Sequence, residues 1–119
     1  MVLARAYRSD VQITLISTGA RSGRERRVTL YAWEDGERLV LVGSRGGSSR
    51  NPAWVHNLRA QPEVRVVRGR DERAYRAREV ADDERERAWR IAADRFPMYD
   101  RYAAKTPRLI PVFVHEPIG

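Results

Sequence analysis

The chain has 119 residues, enough for one domain with its own core and too few for two. It contains no cysteine, which removes disulfides, thiolate nucleophiles and cysteine-ligated metal clusters, and no apolar run approaches the ~20 residues of a membrane-spanning helix. The formal net charge is +7, with Lys105 the sole lysine among 23 basic residues, so anionic partners are favoured: nucleic acid, a phosphorylated cofactor or an acidic membrane surface.

Val11 to Thr18 is rich in β-branched residues, with Val11, Ile13 and Leu15 on one face, and predicts a strand. Gly19-Ala20-Arg21-Ser22-Gly23 is a glycine-bounded turn. Arg26 to Trp33 resumes the alternation, with Val28, Leu30 and Ala32 opposite Arg27, Thr29, Tyr31 and Trp33. Asp35-Gly36 then signals a hairpin that returns Glu37 to Ser44 antiparallel to Arg26–Trp33. The short loops imply a meander and exclude a βαβ unit.

The next stretch, Ser44 to Leu58, combines a strand end, the glycine pair Gly46-Gly47, two arginines, and Asn51-Pro52 as a helix start with Asn51 capping. Pro52 to Ala60 predicts about two helical turns, ended by Gln61-Pro62. Val64 and Val66 alternate in a strand, and Arg73 to Val80 in another. Asp82 or Asp83 caps a helix whose Trp89, Ala92, Ala93 and Phe96 face the core and which Pro97 ends. Met98 to Ala104 predicts a short helical turn carrying Tyr99 and Tyr102. Leu109 to Val114 is a terminal strand, and Pro111 argues for an edge position or a barrel corner. The order β-β-β-α-β-β-α-β, with six strands and mostly antiparallel connections, fits an α+β, mainly β, single-domain small barrel flanked by helices over residues 1–119.

Chemistry narrows by elimination. His56 and His115 are the only histidines and have no metal-binding spacing, so no metal site is expected. No serine sits in a nucleophile elbow and no phosphate-binding P-loop is present. What remains is a set of groups suited to phosphate on neighbouring turns: Arg21, Ser22 and Arg26 on the first, and Ser44, Arg45 and the amides of Gly46-Gly47 on the second. Trp54 and Asn57 follow on the short helix. Tyr99 and Tyr102 could cover an aromatic ligand or pack in the core. The constellation suits a flat ring with a phosphate tail.

These residues carry a resemblance. Ser17-Thr18-Gly19-Ala20-Arg21-Ser22-Gly23-Arg24-Glu25-Arg26 resembles the T-T-G-R-K-S/T-G-x-x-R motif of the deazaflavin-dependent nitroreductase and quinone reductase family. Leu30-Tyr31, Asp35-Gly36, Ser44-Arg45-Gly46-Gly47, Asn51-Pro52-Ala53-Trp54, Asn57-Leu58, Pro62-x-Val64-x-Val66, Glu84-Arg85, Pro97-x-Tyr99-x-x-Tyr102 and Thr106-x-Arg108-x-Ile110-Pro111-Val112 follow at that family's spacing. Together they cover the chain from Gln12 to Pro117.

The resemblance implies a split β-barrel like those that hold FMN, binding coenzyme F420, an 8-hydroxy-5-deazaflavin with a phospholactyl-polyglutamate tail. Arg21, Ser22 and Arg26 would hold the acidic tail. Thr29, Leu30, Tyr31, Val42, Gly43, Ser44 and Arg45 would line the ring and its ribityl chain. Ala53, Trp54, Val55, His56 and Asn57 would bind from the short helix, and Tyr99 would close over the ring. Ser44 and Tyr99 are the implied catalytic groups, and Phe96, Tyr99 and Tyr102 the substrate contacts. The implied activity is hydride transfer from reduced F420 to a small-molecule acceptor: a quinone, nitroaromatic or activated enone.

The chain departs from the family's pattern at several positions: Ala20 stands at a usual arginine, Thr29 at a usual proline, Arg45 at a frequent lysine, Phe96 at one of three tyrosines, and Val55-His56 at a more typical Tyr-Leu. Phe96 has no hydroxyl, so a substrate contact made through that group is lost, and the resemblance implies the cofactor more directly than the acceptor. The N-terminal stretch has no apolar core of secretory length and lacks the family's amphipathic extension. Cytoplasmic localisation with at most peripheral membrane association is therefore expected, and a homodimer stays open. The alternatives are a non-catalytic split barrel binding F420 or FMN, and a basic nucleic-acid-binding barrel; no nucleic acid partner is expected.

Overall fold

The computed structural model describes residues 12–119. Seven strands and three helices follow one another among them: β1 Gln12–Thr18, β2 Glu25–Tyr31, β3 Trp33–Asp35, β4 Arg38–Val42, α1 Ala53–Ala60, β5 Glu63–Arg68, β6 Asp71–Glu79, α2 Asp82–Arg95, α3 Met98–Lys105 and β7 Val112–Pro117. A single 3-10 turn, Arg45–Gly47, joins β4 towards α1. Val11, expected at the start of the first strand, and the N-terminal stretch before it lie outside the described residues.

All strands form one antiparallel sheet in the order β2-β1-β5-β6-β7-β4-β3. Its two outermost strands are neighbours in sequence, separated only by Ala32. The expected second strand is therefore two: β2 pairs with β1 (Leu30 opposite Ile13, Val28 opposite Leu15), whereas β3 pairs with β4 (Trp33 opposite Val40). One chain segment thus belongs to both edges of the sheet, which forces the sheet to curl into a barrel. The hairpin at Asp35-Gly36 forms as expected, with Gly36 at φ +64°, but it spans only β3 and β4.

Strand alternation divides the apolar residues between two cores. Ile13, Leu15, Ala32, Leu39, Leu41, Val64, Val66, Tyr75, Ala77 and Phe113 fill the barrel, and α1 closes it with Trp54, Val55 and Leu58. Val40, Val42, Val112 and Val114 point outward and meet Ala88, Ala92 and Ala93 of α2 and Tyr99 of α3. Trp89, expected in the core, is half-buried: its indole N–H donates to Asp100 Oδ1 at 2.8 Å, and the Arg85 guanidinium lies 5.2 Å above its ring.

Four local expectations change. Pro111 marks no edge: β7 begins after it and lies between β6 and β4, while the Pro111 carbonyl accepts the Gly43 N–H at 2.8 Å. Leu109, placed in that strand by pattern, is exposed. Asn51 does not cap α1, because Pro52 occupies the N-cap and Asn51 Oδ1 accepts from Arg108. Neither Asp82 nor Asp83 caps α2: Ala81 holds that position, and Asp82 takes the left-handed conformation at φ +52°.

Much of the arginine excess is neutralised on the outer surface. Arg65 bridges Glu25 at 2.8 Å and Glu72 at 2.6 Å, Arg59 meets Glu79 at 2.8 Å, and Arg78 joins Glu84 to Glu116 at 2.7 and 3.1 Å. Exposed pairs of this kind stabilise weakly, but they remove free positive charge from the sheet face.

His115 shares the inward parity of Phe113 and stands between Leu39 and Ala77 in register. It is fully buried, neither ring nitrogen has a hydrogen-bond partner, and burial lowers its pKa to about 3. The folded state holds the neutral ring, while the unfolded chain protonates near pH 6.5, so stability is lost as pH falls from about 6.5 towards 3. Between pH 7 and pH 5 this ring alone should lower the unfolding free energy by about 2 kcal/mol. Urea unfolding of His115→Leu at both pH values should show that difference removed; an unchanged pH dependence would contradict the assignment.

Candidate functional site

The first turn is shaped by hydrogen bonds. Gly19 N–H donates to the Arg24 carbonyl at 2.7 Å and Gly23 N–H to the Gly19 carbonyl at 3.0 Å. The Ser22 hydroxyl accepts from Arg24 N–H at 3.1 Å and from the Arg26 guanidinium at 3.2 Å, so Ser22 steers Arg26. A side chain on Gly19 would strike that hydroxyl, its Cβ falling 2.6 Å away. Asn57 on α1 accepts the Ala20 N–H at 2.9 Å and ties helix to turn.

This turn, α1 and the Arg45–Gly47 turn enclose a groove of about 960 Å³. Among the described residues five arginines reach its wall, Arg21, Arg26, Arg27, Arg45 and Arg50, and no aspartate or glutamate does. Arg27 pairs with Glu25 at 2.9 Å; the other four make no ion pair among the described residues. Ser22, His56 and Asn57 complete the polar side, with Ala53 beside them in the wall.

The groove continues into a second cavity of about 370 Å³, the two sharing Val28, Arg45, Pro52 and Trp54 in their walls. Here the lining is apolar and aromatic: Leu30, Tyr31, Val42, Phe96, Tyr99 and Tyr102, joined by the buried Ser44 and the exposed Gly46. Phe96 packs edge-on to Tyr99 at 5.0 Å between centroids and to Tyr31 at 6.0 Å. The Tyr99 hydroxyl accepts the Trp33 indole N–H at 2.8 Å, which fixes the tyrosine ring against the outer core.

A third hollow, about 690 Å³ around the β5–β6 turn, differs in kind. Its arginines are matched internally, Arg68 by Glu34 at 2.6 Å and Arg73 by Glu37 at 3.5 Å. The groove beside α1, by contrast, gathers several cations with no acid in its described wall.

The structure brings most of the expected residues to this joined space, with three exceptions. Thr29 is exposed on the opposite face of β2 from Val28 and Leu30 and lines neither cavity. Val55 lies in the barrel core, fully buried. Gly43 is buried beneath it: a Cβ there would meet Val55 Cγ2 at 2.8 Å, so its glycine serves packing. The glycine pair also divides its work. Gly46 faces open space at the rim, whereas Gly47, at φ +81°, lies with Tyr102 backbone atoms 3.1 to 3.2 Å from where a Cβ would stand. Gly47 therefore lets α3 dock on the turn.

Arg50, noted as the second arginine of the Ser44–Leu58 stretch, and Arg108, noted within the family motif, were given no site role from the sequence. Arg108 had no local signal, since its partners lie some sixty residues away.

The sequence matches the F420H(2)-dependent quinone reductase family over residues 3–117. The chain belongs to that family. It is 34% identical over 105 residues to an F420H(2)-dependent quinone reductase of Mycobacterium tuberculosis, a match that covers 86% of this chain and 70% of that protein. In structure it is similar to the F420-H2 dependent reductase FDR-A, with a TM-score of 0.82, 38% identity, and coverage of 89% and 94% of the two chains. A further solved structure, described as a domain-swapped dimer, matches with a TM-score of 0.82 at 33% identity, covering 97% and 94%. The split-barrel fold and the deazaflavin-dependent oxidoreductase class expected from the motifs accordingly hold.

Arg45 stands at the junction of the two cavities with φ +46°, a left-handed conformation unfavourable for a residue with a Cβ. Replacement by glycine removes that strain, offset in part by the greater freedom of glycine in the unfolded chain. Arg45→Gly should raise the unfolding free energy by about 0.5–1 kcal/mol, and Arg45→Ala should not, as read by urea denaturation.

Proposed function

We propose that the joined cavities hold coenzyme F420, ring in the aromatic cavity and acidic tail along the arginine groove, and that the chain reduces a small-molecule acceptor. The observation that carries this reading is the acid-free set of arginines opening directly into an apolar, aromatic-lined space. An uncompensated cluster of guanidinium groups favours a ligand with several anionic oxygens. A lone phosphate, as on FMN, offers too few oxygens to engage them all; a phosphate followed by glutamates does not have that limit.

When bound, the reduced deazaflavin supplies a hydride. The protein's contribution is to bind, orient and exclude water. Arg21, Arg26, Arg45 and Arg50 hold the tail, with Ser22 fixing the direction of Arg26. Leu30, Val42 and Trp54 form an apolar wall for the ring, and Phe96, Tyr99 and Tyr102 face the acceptor. Ser44 donates to the acceptor's oxygen, and Tyr99 or a water beside it delivers the proton. Phe96 offers a ring face without a hydroxyl, which suits a flat, apolar acceptor of the quinone class. The ion-paired outer surface supports a small-molecule ligand over nucleic acid, which needs an unmatched basic stripe.

Fluorescence titration should show saturable quenching of F420, and menadione should oxidise reduced F420 only when the protein is present. Absence of binding at low salt even at about tens of micromolar would overturn the reading.

A further inference from the structure

Arg108 lines neither cavity, yet every hydrogen bond its guanidinium makes among the described residues goes to segment 43–51, which contributes to the walls of both. Its Nε donates to the Ser48 carbonyl at 2.7 Å and one terminal nitrogen to Asn51 Oδ1 at 2.6 Å. The other terminal nitrogen donates to the carbonyls of Gly43 at 3.2 Å and Ser44 at 2.7 Å. None of these acceptors is charged. The guanidinium is half-buried, and both burial and the nearby positive charge of Arg45 act against its protonated form. An arginine accepted under those conditions is held for its geometry, since its planar fork reaches four acceptors at once.

That geometry has a direct consequence. Each carbonyl shares a rigid peptide plane with the next residue's N–H. Pinning the Gly43 and Ser44 carbonyls fixes both planes that flank Ser44, and hence the plane from which the Arg45 backbone departs. The turn is closed behind it by Gly47 N–H on the Ser44 carbonyl at 2.9 Å and Ser48 N–H on the Arg45 carbonyl at 3.0 Å. Arg45 then stands left-handed at the cavity junction.

We propose that Arg108 is a positioning residue: without touching the ligand, it orients Ser44 at the aromatic cavity and holds Arg45 in its left-handed, ligand-facing conformation. This rests on the F420 reading of the site for its binding readout, but the geometric claim can be tested without a ligand.

The experiment is a double-mutant cycle with Arg45→Ala and Arg108→Met, read by F420 titration and by amide hydrogen exchange, at a temperature where all variants are folded. Arg108→Met should weaken F420 by roughly tenfold or more, and the double variant should bind within about threefold of the weaker single variant, because one residue acts through the other. Exchange at the Gly47 and Ser48 amides should accelerate in Arg108→Met, while Leu41 and Phe113 in the sheet stay protected. Wild-type-like binding by Arg108→Met, or losses that multiply in the double variant, would overturn the proposal. If the wild-type protein itself fails to bind F420, the functional reading falls and the exchange data alone decide: unchanged protection at Gly47 and Ser48 would then overturn it.

Discussion

The bend at Ala32 is the constraint on which the rest of the molecule depends. β2 and β3 are one chain segment that pairs with β1 at one edge of the sheet and with β4 at the other. Before the bend, the strand delivers Arg26 to the groove and Val28 and Leu30 to the cavity walls. After it, Trp33 lies outside the barrel, where its indole meets Tyr99 and stacks on Phe96 at 6.1 Å. The joined cavities therefore lie where the sheet closes on itself. Groups from β2, the turn after β4, α1 and α3 can converge there though they are far apart in sequence.

Convergence at that point separates two kinds of surface. The outer faces of β5 and β6 carry arginines interleaved with glutamates, and the cross-strand register brings opposite charges together. The groove takes its arginines from the start of β2 and from the turns before β2 and α1, and only Arg27 among them has a carboxylate partner among the described residues. Positive charge left uncompensated in a concave site acts as a standing preference for anions. The apolar cavity alongside supplies the complementary preference, so one space prefers a ligand that is flat at one end and polyanionic at the other.

Much of this was legible in the sequence, and the failures have physical causes. Alternation of apolar residues located the strand segments, though it ran β2 and β3 together and began β7 too early, and the Asp35-Gly36 hairpin formed, because side-chain period and turn chemistry are local properties. The break at Ala32 was invisible because neither glycine nor proline marks it; it follows from which strands pair on either side. Pro111 misled because its missing N–H suggested an edge, whereas it precedes β7 and uses its carbonyl instead. Asn51 looked like a helix cap, but Arg108 competes for its side chain across the fold. Thr29 and Val55 were carried into the expected site by contiguity with residues that line the cavities; alternation on β2 and the helical face of α1 turn them elsewhere. The motif spacing led to the family because it samples the whole chain, including contacts that no local rule supplies.

The central claim is that ring and tail are recognised by two adjoining but physically different surfaces. The most direct measurement compares the affinity of F420 with that of the same deazaflavin lacking its phospholactyl-polyglutamate tail, each across a range of salt concentrations. Binding of the intact cofactor should be much the tighter at low salt and should weaken steeply as salt rises, while the tail-less compound should bind weakly with little salt dependence. Equal affinities with the same salt response would contradict the account.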